Sequence, residues 1–270
     1  MVSAMENRPC ITFLSDFGAR EACVASVKGV ILGICPEAAI VDVTHEVRSH
    51  DLLEAAFTLS CAYRWFPPRT IHLAVVDPGV GSARRAIVAA GEQHVFVAPD
   101  NGILSLVYES GEINRVHSIE AEHYFRHPVS PTFHGRDIFG PVAAQLARGL
   151  EVETFGPRIE DYTRLNLPPA KKTGDRSVEG IVLHIDKFGN VITSLTPADL
   201  ERAFGADTPP RRVTLNGKRV DRICTHYAEA AEAELFALLG SSGRFELAAL
   251  KRPAAKALEA RRGQKVVVEV

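Results

Sequence analysis

Ile71-His72-Leu73-Ala74-Val75-Val76-Asp77-Pro78-Gly79-Val80-Gly81-Ser82-Ala83-Arg84 is the stretch that decides the fold. Its first six residues are β-branched and Leu-rich, which predicts a buried strand. Asp77 then stands at the strand's carboxyl end, where open α/β sheets place their ligands. Gly79 and Gly81 let backbone approach whatever lies there, and Asp77 and Arg84 can meet across the turn. The turn imitates a dinucleotide loop, but Arg84 occupies the place of the third glycine. The following segment, Ala86 to Ala90, reads as another strand, so a pyrophosphate would find no helix N-terminus.

Around this stretch the first half alternates strand-like and helix-like segments. Strands are expected at Cys10 to Leu14, Ala39 to Val43, Ile71 to Val76, Ala86 to Ala90 and His94 to Ala98. Helices are expected at Ala22 to Ile34, with Gly29 and Gly33 packing closely, and at Asp51 to Trp65. A short helix begins near Asn101, and another runs from Ile138 to Leu150 with Asp137 as its cap. Residues 157–177, rich in Pro, Gly and Lys, read as a linker. Beyond it the pattern is mostly strand: Val178 to Ile185, Val191 to Leu195, Arg212 to Leu215, Arg219 to Cys224, Leu235 to Leu239, Phe245 to Leu250 and Lys265 to Val270. Asn216-Gly217 marks a tight hairpin. The expected fold class is α/β, an N-terminal α/β sandwich domain over residues 8–165 and a C-terminal β-barrel-like domain over 177–270.

The chain has 270 residues, 46% hydrophobic and 24% charged, with a net charge of −2. That balance advertises neither nucleic acid nor an anionic membrane. Met1 to Pro9 lacks the apolar core of a signal peptide, and no apolar run approaches the roughly 18 residues of a membrane span. The five cysteines are scattered with no CxxC pair, which suits reduced thiols in a cytoplasmic protein.

Asp16-Phe17-Gly18 and His134-Gly135-Arg136-Asp137 imitate kinase signatures, but in reversed order and without a Gly-rich loop and lysine. His117, His123, His127 and His134 crowd one region, yet they lack the tight spacing of a zinc site. Asp16 is either a turn former or a carboxylate at the sheet edge accepting two ribose hydroxyls. His134, just before a helix N-terminus, is biased toward the neutral form, or is simply a satisfied loop histidine. Pro99-Asp100-Asn101-Gly102 reads as a turn and cap. Asp186-Lys187-Phe188-Gly189-Asn190 is long for a plain hairpin loop, and Gly240-Ser241-Ser242-Gly243 offers hydroxyls and amides suited to a carboxylate.

Five of these motifs, at residues 14–18, 76–81, 98–102, 133–137 and 186–190, stand in the order found in one family. The chain resembles the S-adenosylmethionine (SAM) hydroxide adenosyltransferases, relatives of fluorinase and chlorinase. The resemblance implies a homotrimer, with each active site between the N-terminal domain of one subunit and the C-terminal domain of its neighbour. It implies attack of water or hydroxide on ribose C5′, releasing adenosine and methionine. SAM is then the substrate, with no cofactor and no metal. By motif position Asp77, Arg84 and His134 match the catalytic set and Asp16 the ribose carboxylate. Asn190 matches a ribose contact, and Ser241 and Ser242 match the pair holding the methionine carboxylate. Glu21 falls where relatives carry Asp near the methionine amine, and Ala248 to Arg252 matches the adenine-facing segment. The halogenase branch has Thr at the position of Val80 and Ser at that of Gly135; this chain has neither hydroxyl. Water is therefore the expected nucleophile. The alternatives are a halide-dependent SAM adenosyltransferase and a non-catalytic SAM- or adenosine-binding sensor.

Overall fold

Ile71 to Val75 is buried at every position, as a strand covered on both faces must be. In the computed structural model, which describes residues 8–206 and 208–270, it is an interior strand of a seven-stranded sheet, third in the order. The reading that no signal peptide occupies Met1 to Pro9 falls on a stretch whose residues 1–7 lie outside the described ones. The chain divides into two units, one ending at Leu165 and the other beginning at Asn166.

The first unit runs β1 (Cys10–Ser15), α1 (Cys23–Ile34), β2 (Ala39–Thr44), α2 (Leu52–Ala62), β3 (Ile71–Val75), β4 (Ala86–Gly91), β5 (Val95–Pro99), α3 (Ser105–Tyr108), β6 (Ile113–Ser118), α4 (Gly140–Ala147) and β7 (Arg158–Ile159). The strand order is β2-β1-β3-β5-β4-β6-β7. The β2-β1-β3-β5 pairs are parallel, and the rest are antiparallel. Successive side chains on a strand point to opposite faces. Ile11 and Phe13 of β1 and Leu73 and Val75 of β3 therefore pack with Val27, Ile31 and Val142 on one face. Leu14 and Ala74 turn to the other, against Ala55, Leu59 and Val107. The result is the expected α/β sandwich.

The structure corrects several local expectations. Gly29 and Gly33 do not pack closely: a Cβ on either would meet nothing within 4 Å. The buried stripe of α1 is Val27 and Ile31, which leaves both glycines on the outward side of the helix. Asp137 is not a cap. The helix begins earlier, with a π turn over Gly135–Phe139, and Asp137 lies buried inside it. The supposed linker contains β7 and a further strand, β8 (Lys171–Gly174). All four residues of β8 are exposed, so backbone pairing forms it and composition conceals it.

The second unit continues from β8 with β9 (Ser177–Ile185), β10 (Val191–Thr193), α5 (Pro197–Phe204), β11 (Arg212–Leu215), β12 (Lys218–Val220), β13 (Leu235–Leu239), β14 (Phe245–Ala249), α6 (Ala254–Leu258) and β15 (Lys265–Glu269). Its strands follow the order β12-β11-β15-β9-β10-β14-β13, with β8 also on β9. Asn216 and Gly217 both take positive φ, 51° and 73°, as the two-residue hairpin turn requires. Beyond β12 the chain bridges Ile223 to Ala237 of β13, and Cys224 N donates to the Ala237 carbonyl at 2.8 Å. The two ends of the sheet thus approach each other, which makes it barrel-like around Val178, Val182, Leu247 and Val266.

One polar group sits deep in the first unit. His72 Nδ1 meets Thr12 Oγ1 at 2.7 Å, and its Nε2 meets His94 Nδ1 at 3.3 Å. Burial, and then the neighbouring His94, push the His72 pKa down to about 3. Its folded pKa is thus below its unfolded one, so its contribution is fully present above about pH 6.5 and is lost as pH falls toward 3. Stability is expected to fall by about 1.4 kcal/mol per pH unit across that window. Urea unfolding at pH 6.5 and 4.5 checks this, and His72→Gln should flatten the slope.

Candidate active site

β1 and β3 are neighbours in register, Ser15 opposite Val75, so Asp16 and Asp77 both emerge at the carboxyl edge of the parallel strands. Asn101 secures that edge by donating from Nδ2 to the Val76 carbonyl at 2.8 Å. The sequence reading of residues 99–102 as a turn missed this tie, because it depends on strand pairing.

The structure brings Asp77, Arg84 and His134 into direct contact. Arg84 Nε donates to Asp77 Oδ1 at 2.9 Å and to Oδ2 at 3.0 Å, and Nη2 also bonds Oδ2. The same Nη2 lies 2.7 Å from His134 Nδ1. Only 6% of the Asp77 side chain and 11% of the Arg84 side chain are exposed, so solvent ions screen this pair little. The Phe139 ring lies 5.1 Å from the guanidinium carbon and adds a cation–π contact. Burial, then the positive Arg84, hold the His134 pKa below its ordinary value; Asp77 and Asp137 oppose the shift without reversing it. His134 is therefore neutral at neutral pH. Since a guanidinium only donates, Nδ1 is the acceptor and Nε2 carries the proton.

The glycine turn has a local purpose. Gly81 adopts φ +78°, and a Cβ there would stand 2.4 Å from the Pro131 carbonyl oxygen. Gly81 thus lets the turn touch the loop that leads into His134. Asp137 holds that loop from below: its carboxylate accepts from Ser130 N at 2.9 Å, from Arg136 at 2.7 Å and from Arg126 at 3.3 Å. These partners outweigh the burial that alone would raise it, and they keep the Asp137 carboxyl below the usual range.

Asp16 shares no hydrogen bond with Asp77, Arg84 or His134 among the described residues. Its Oδ2 accepts from His50 N at 2.9 Å. Phe17 packs edge-on against Phe13 and Phe133, and its ring fills the space beside Gly135. Glu21 is exposed ahead of α1, with no hydrogen bond or ion pair to a described residue.

Within the second unit Asp186 organises its loop. Oδ1 accepts from Phe188 N at 2.9 Å and from Asn190 N at 2.8 Å, while Oδ2 accepts from Asn190 Nδ2 at 2.9 Å. One N–H of the Asn190 amide is thus engaged, which leaves its oxygen and its second N–H for a ligand. A cavity of about 540 Å³ opens here, lined by Asp186, Phe188, Asn190, Tyr227, Leu250 and Arg252 among others. Phe188 is 76% exposed at the mouth of this cavity. Tyr227 donates to the buried Glu246 at 2.6 Å, and burial raises the Glu246 carboxyl. Ser241 is exposed in the β13–β14 turn; Ser242 Oγ is shielded from solvent and has no hydrogen-bond partner among the described residues.

The histidines considered for zinc serve elsewhere: His117 Nδ1 meets the Gly156 carbonyl and His127 Nε2 the Glu122 carbonyl, both at 2.9 Å. Among the described residues no cluster of three or more His, Cys, Asp or Glu side chains is placed to hold a metal ion. No helix of the described residues is long and apolar enough to cross a membrane.

Comparison with known proteins covers both units. The family model for the SAM hydroxide adenosyltransferase N-terminal domain matches residues 11–156, and that for the C-terminal domain matches residues 180–267. A Thermus thermophilus protein named (R)-S-adenosyl-L-methionine hydrolase is 38% identical over 95% of this chain and 98% of its own length. A Salinispora tropica protein of the same name is 35% identical over 90% of this chain and 91% of its own. Proteins named fluorinase match at 27 or 28% identity. The crystal structure of an uncharacterized conserved protein from Thermotoga maritima superposes with a TM-score of 0.88 at 35% identity, covering 96% of this chain and all of that one.

Proposed function

The chain belongs to the SAM hydroxide adenosyltransferase family, and from that premise we propose that it hydrolyses SAM to adenosine and L-methionine. The observation that carries this reading is the shielded Asp77–Arg84–His134 contact at the carboxyl edge of β3. The relatives named hydrolase, at 35 to 38% identity, support it further.

The chemistry asks little of the leaving group. An oxygen–C5′ bond forms as the C5′–sulfur bond breaks, its electron pair passing to the sulfonium, so methionine departs as a neutral thioether. No general acid and no cofactor are required. The harder part is the nucleophile, because bulk water has a pKa of about 15.7. Arg84 favours hydroxide by charge. The proton of water passes to Asp77: His134 Nδ1 already accepts from Arg84, whereas a carboxylate keeps lone pairs beyond those Arg84 occupies. Asp16 binds the ribose diol through the oxygen that His50 leaves free, which aligns water, C5′ and sulfur. Asn190 contacts the ribose, Ser241 and Ser242 hold the methionine carboxylate, and Glu21 meets its amine. Ser242, with its shielded and unpartnered hydroxyl, suits that role. The proposal includes a cytoplasmic homotrimer with active sites between subunits.

The fluorinase relatives keep a halide-dependent reaction in view. Against it, a side chain at Gly135 would crowd Phe17, with a Cβ 3.2 Å from the ring and 3.4 Å from Val75. One incubation tests the choice: SAM in ¹⁸O-labelled water, with and without fluoride or chloride. The expected products are methionine and adenosine labelled at the 5′ hydroxyl. A 5′-halogenated nucleoside, or label elsewhere, overturns the reading.

A further inference from the structure

Ser15, the last residue of β1, is fully buried and directly precedes Asp16. Its Oγ lies 2.8 Å from His45 Nδ1. His45 Nε2 lies 3.0 Å from Asp42 Oδ1, a close contact bent away from ideal hydrogen-bond geometry. Lys28 completes the line by donating to Asp42 Oδ2 at 2.6 Å. The residue types are those of a nucleophilic triad, but a serine with no exposed surface cannot reach a substrate. The relay therefore works inward.

The donors and acceptors match at its two hydrogen bonds, Ser15 with His45 and Lys28 with Asp42, and the His45–Asp42 link between them is a close polar contact. With a proton on Nε2 facing Asp42, the His45 Nδ1 accepts the Ser15 hydroxyl proton. That orientation leaves Ser15 Oγ to accept from Phe17 N, at 3.3 Å. The His45 carbonyl accepts from Gly18 N at 2.7 Å. One residue thus grips the turn at both ends, Ser15 and Gly18, with Asp16 between them. Phe13 packs edge-on against the imidazole, ring centroids 4.7 Å apart, and fixes its plane.

We propose that His45, backed by Asp42 and Lys28, is a positioning residue that sets the Asp16 carboxylate for the ribose diol. The proposal rests on the reading of Asp16 as the ribose-binding group. A hydrogen-bonded pair at a reacting centre tolerates little displacement, and a ligand group fixed by a supported neighbour is more selective than one on a free turn.

The test is the ratio of kcat/KM for SAM to that for its 2′-deoxy analogue, with thermal unfolding recorded for each variant. Loss of folded enzyme scales both substrates alike, so a purely structural role leaves the ratio unmoved. Asp16→Asn is expected to lower the ratio by about tenfold or more. His45→Leu should lower it nearly as far, and Ser15→Ala, which deletes only a hydroxyl, should lower it in part. His45→Asn, which keeps an amide near the Nδ1 position, should recover most of it. A wild-type ratio in Ser15→Ala and in a folded His45→Leu overturns the positioning role. A wild-type ratio in Asp16→Asn instead overturns the ribose reading, and the positioning role falls with it.

Discussion

Asp77→Asn is expected to lower kcat by about 10²–10⁴-fold while the dissociation constant for SAM stays within about threefold. The carboxylate is the acceptor proposed for the proton of the attacking water, and an amide has no basicity to replace it. It also sets the Arg84 guanidinium, which donates to both of its oxygens and then reaches His134. Asparagine keeps one acceptor and turns a donor group toward a group that only donates. Arg84 would swing, and His134 would lose the partner that fixes its tautomer. The proposed binding surface is different: the ribose is assigned to Asp16 and Asn190, and the methionine carboxylate and amine to Ser241, Ser242 and Glu21. The two effects therefore separate. Calorimetric titration gives the affinity, and single-turnover chromatography of adenosine gives the rate. Breaking a shielded ion pair is also expected to destabilise the fold by about 3–5 kcal/mol, so both measurements belong at a temperature where unfolding curves show the variant folded. Turnover at the wild-type rate removes Asp77 from the chemistry.

The parts of this arrangement legible in the sequence are those written in local pattern. The apolar run of β3 places Asp77 at a strand end, and Asn216-Gly217 announces its hairpin. The contact between Asp77 and Arg84 follows from a short turn. What was hidden depends on pairing between distant segments. Val43-Thr44-His45-Glu46 has no pattern that singles out the histidine. His45 reaches Ser15 because β1 and β2 pair in parallel with Leu14 opposite Thr44. β6 carries no legible strand pattern because Asn114, Arg115 and His117 interrupt its apolar residues, although its last three residues are buried. α5 is legible only through the Thr196–Asp199 capping box, which spans its N-cap and first turn. An acid near a helix start reads as a cap, whereas Asp137 is buried and its partners Arg126 and Ser130 lie in the preceding loop.

Gly81 is where the misleading motif and the mechanism meet, and Gly81→Ala is expected to damage both stability and turnover. In a nucleotide loop such a glycine makes room for phosphate. Here the room is taken by the Pro131 carbonyl, and a Cβ at 2.4 Å from a backbone oxygen cannot be relieved by moving a side chain. Two penalties are involved, and a second glycine separates them. Gly149 also has a positive φ, +95°, but nothing lies within 4 Å of its Cβ position. Gly149→Ala therefore carries the left-handed strain alone, about 1–2 kcal/mol. Gly81→Ala adds the collision and is expected to lose at least about twice that, read from urea unfolding at neutral pH. The backbone that yields is the one leading through Pro131 to His134, so the imidazole is drawn off Arg84. A shift of that kind at a group lining the nucleophile is expected to lower kcat by about tenfold or more in protein that remains folded. Gly149→Ala should keep wild-type kcat, because its strain falls after α4, away from the triad. If the two substitutions cost the same stability and neither alters kcat, the contact between the Gly81 turn and the Pro131 loop has no part in holding His134.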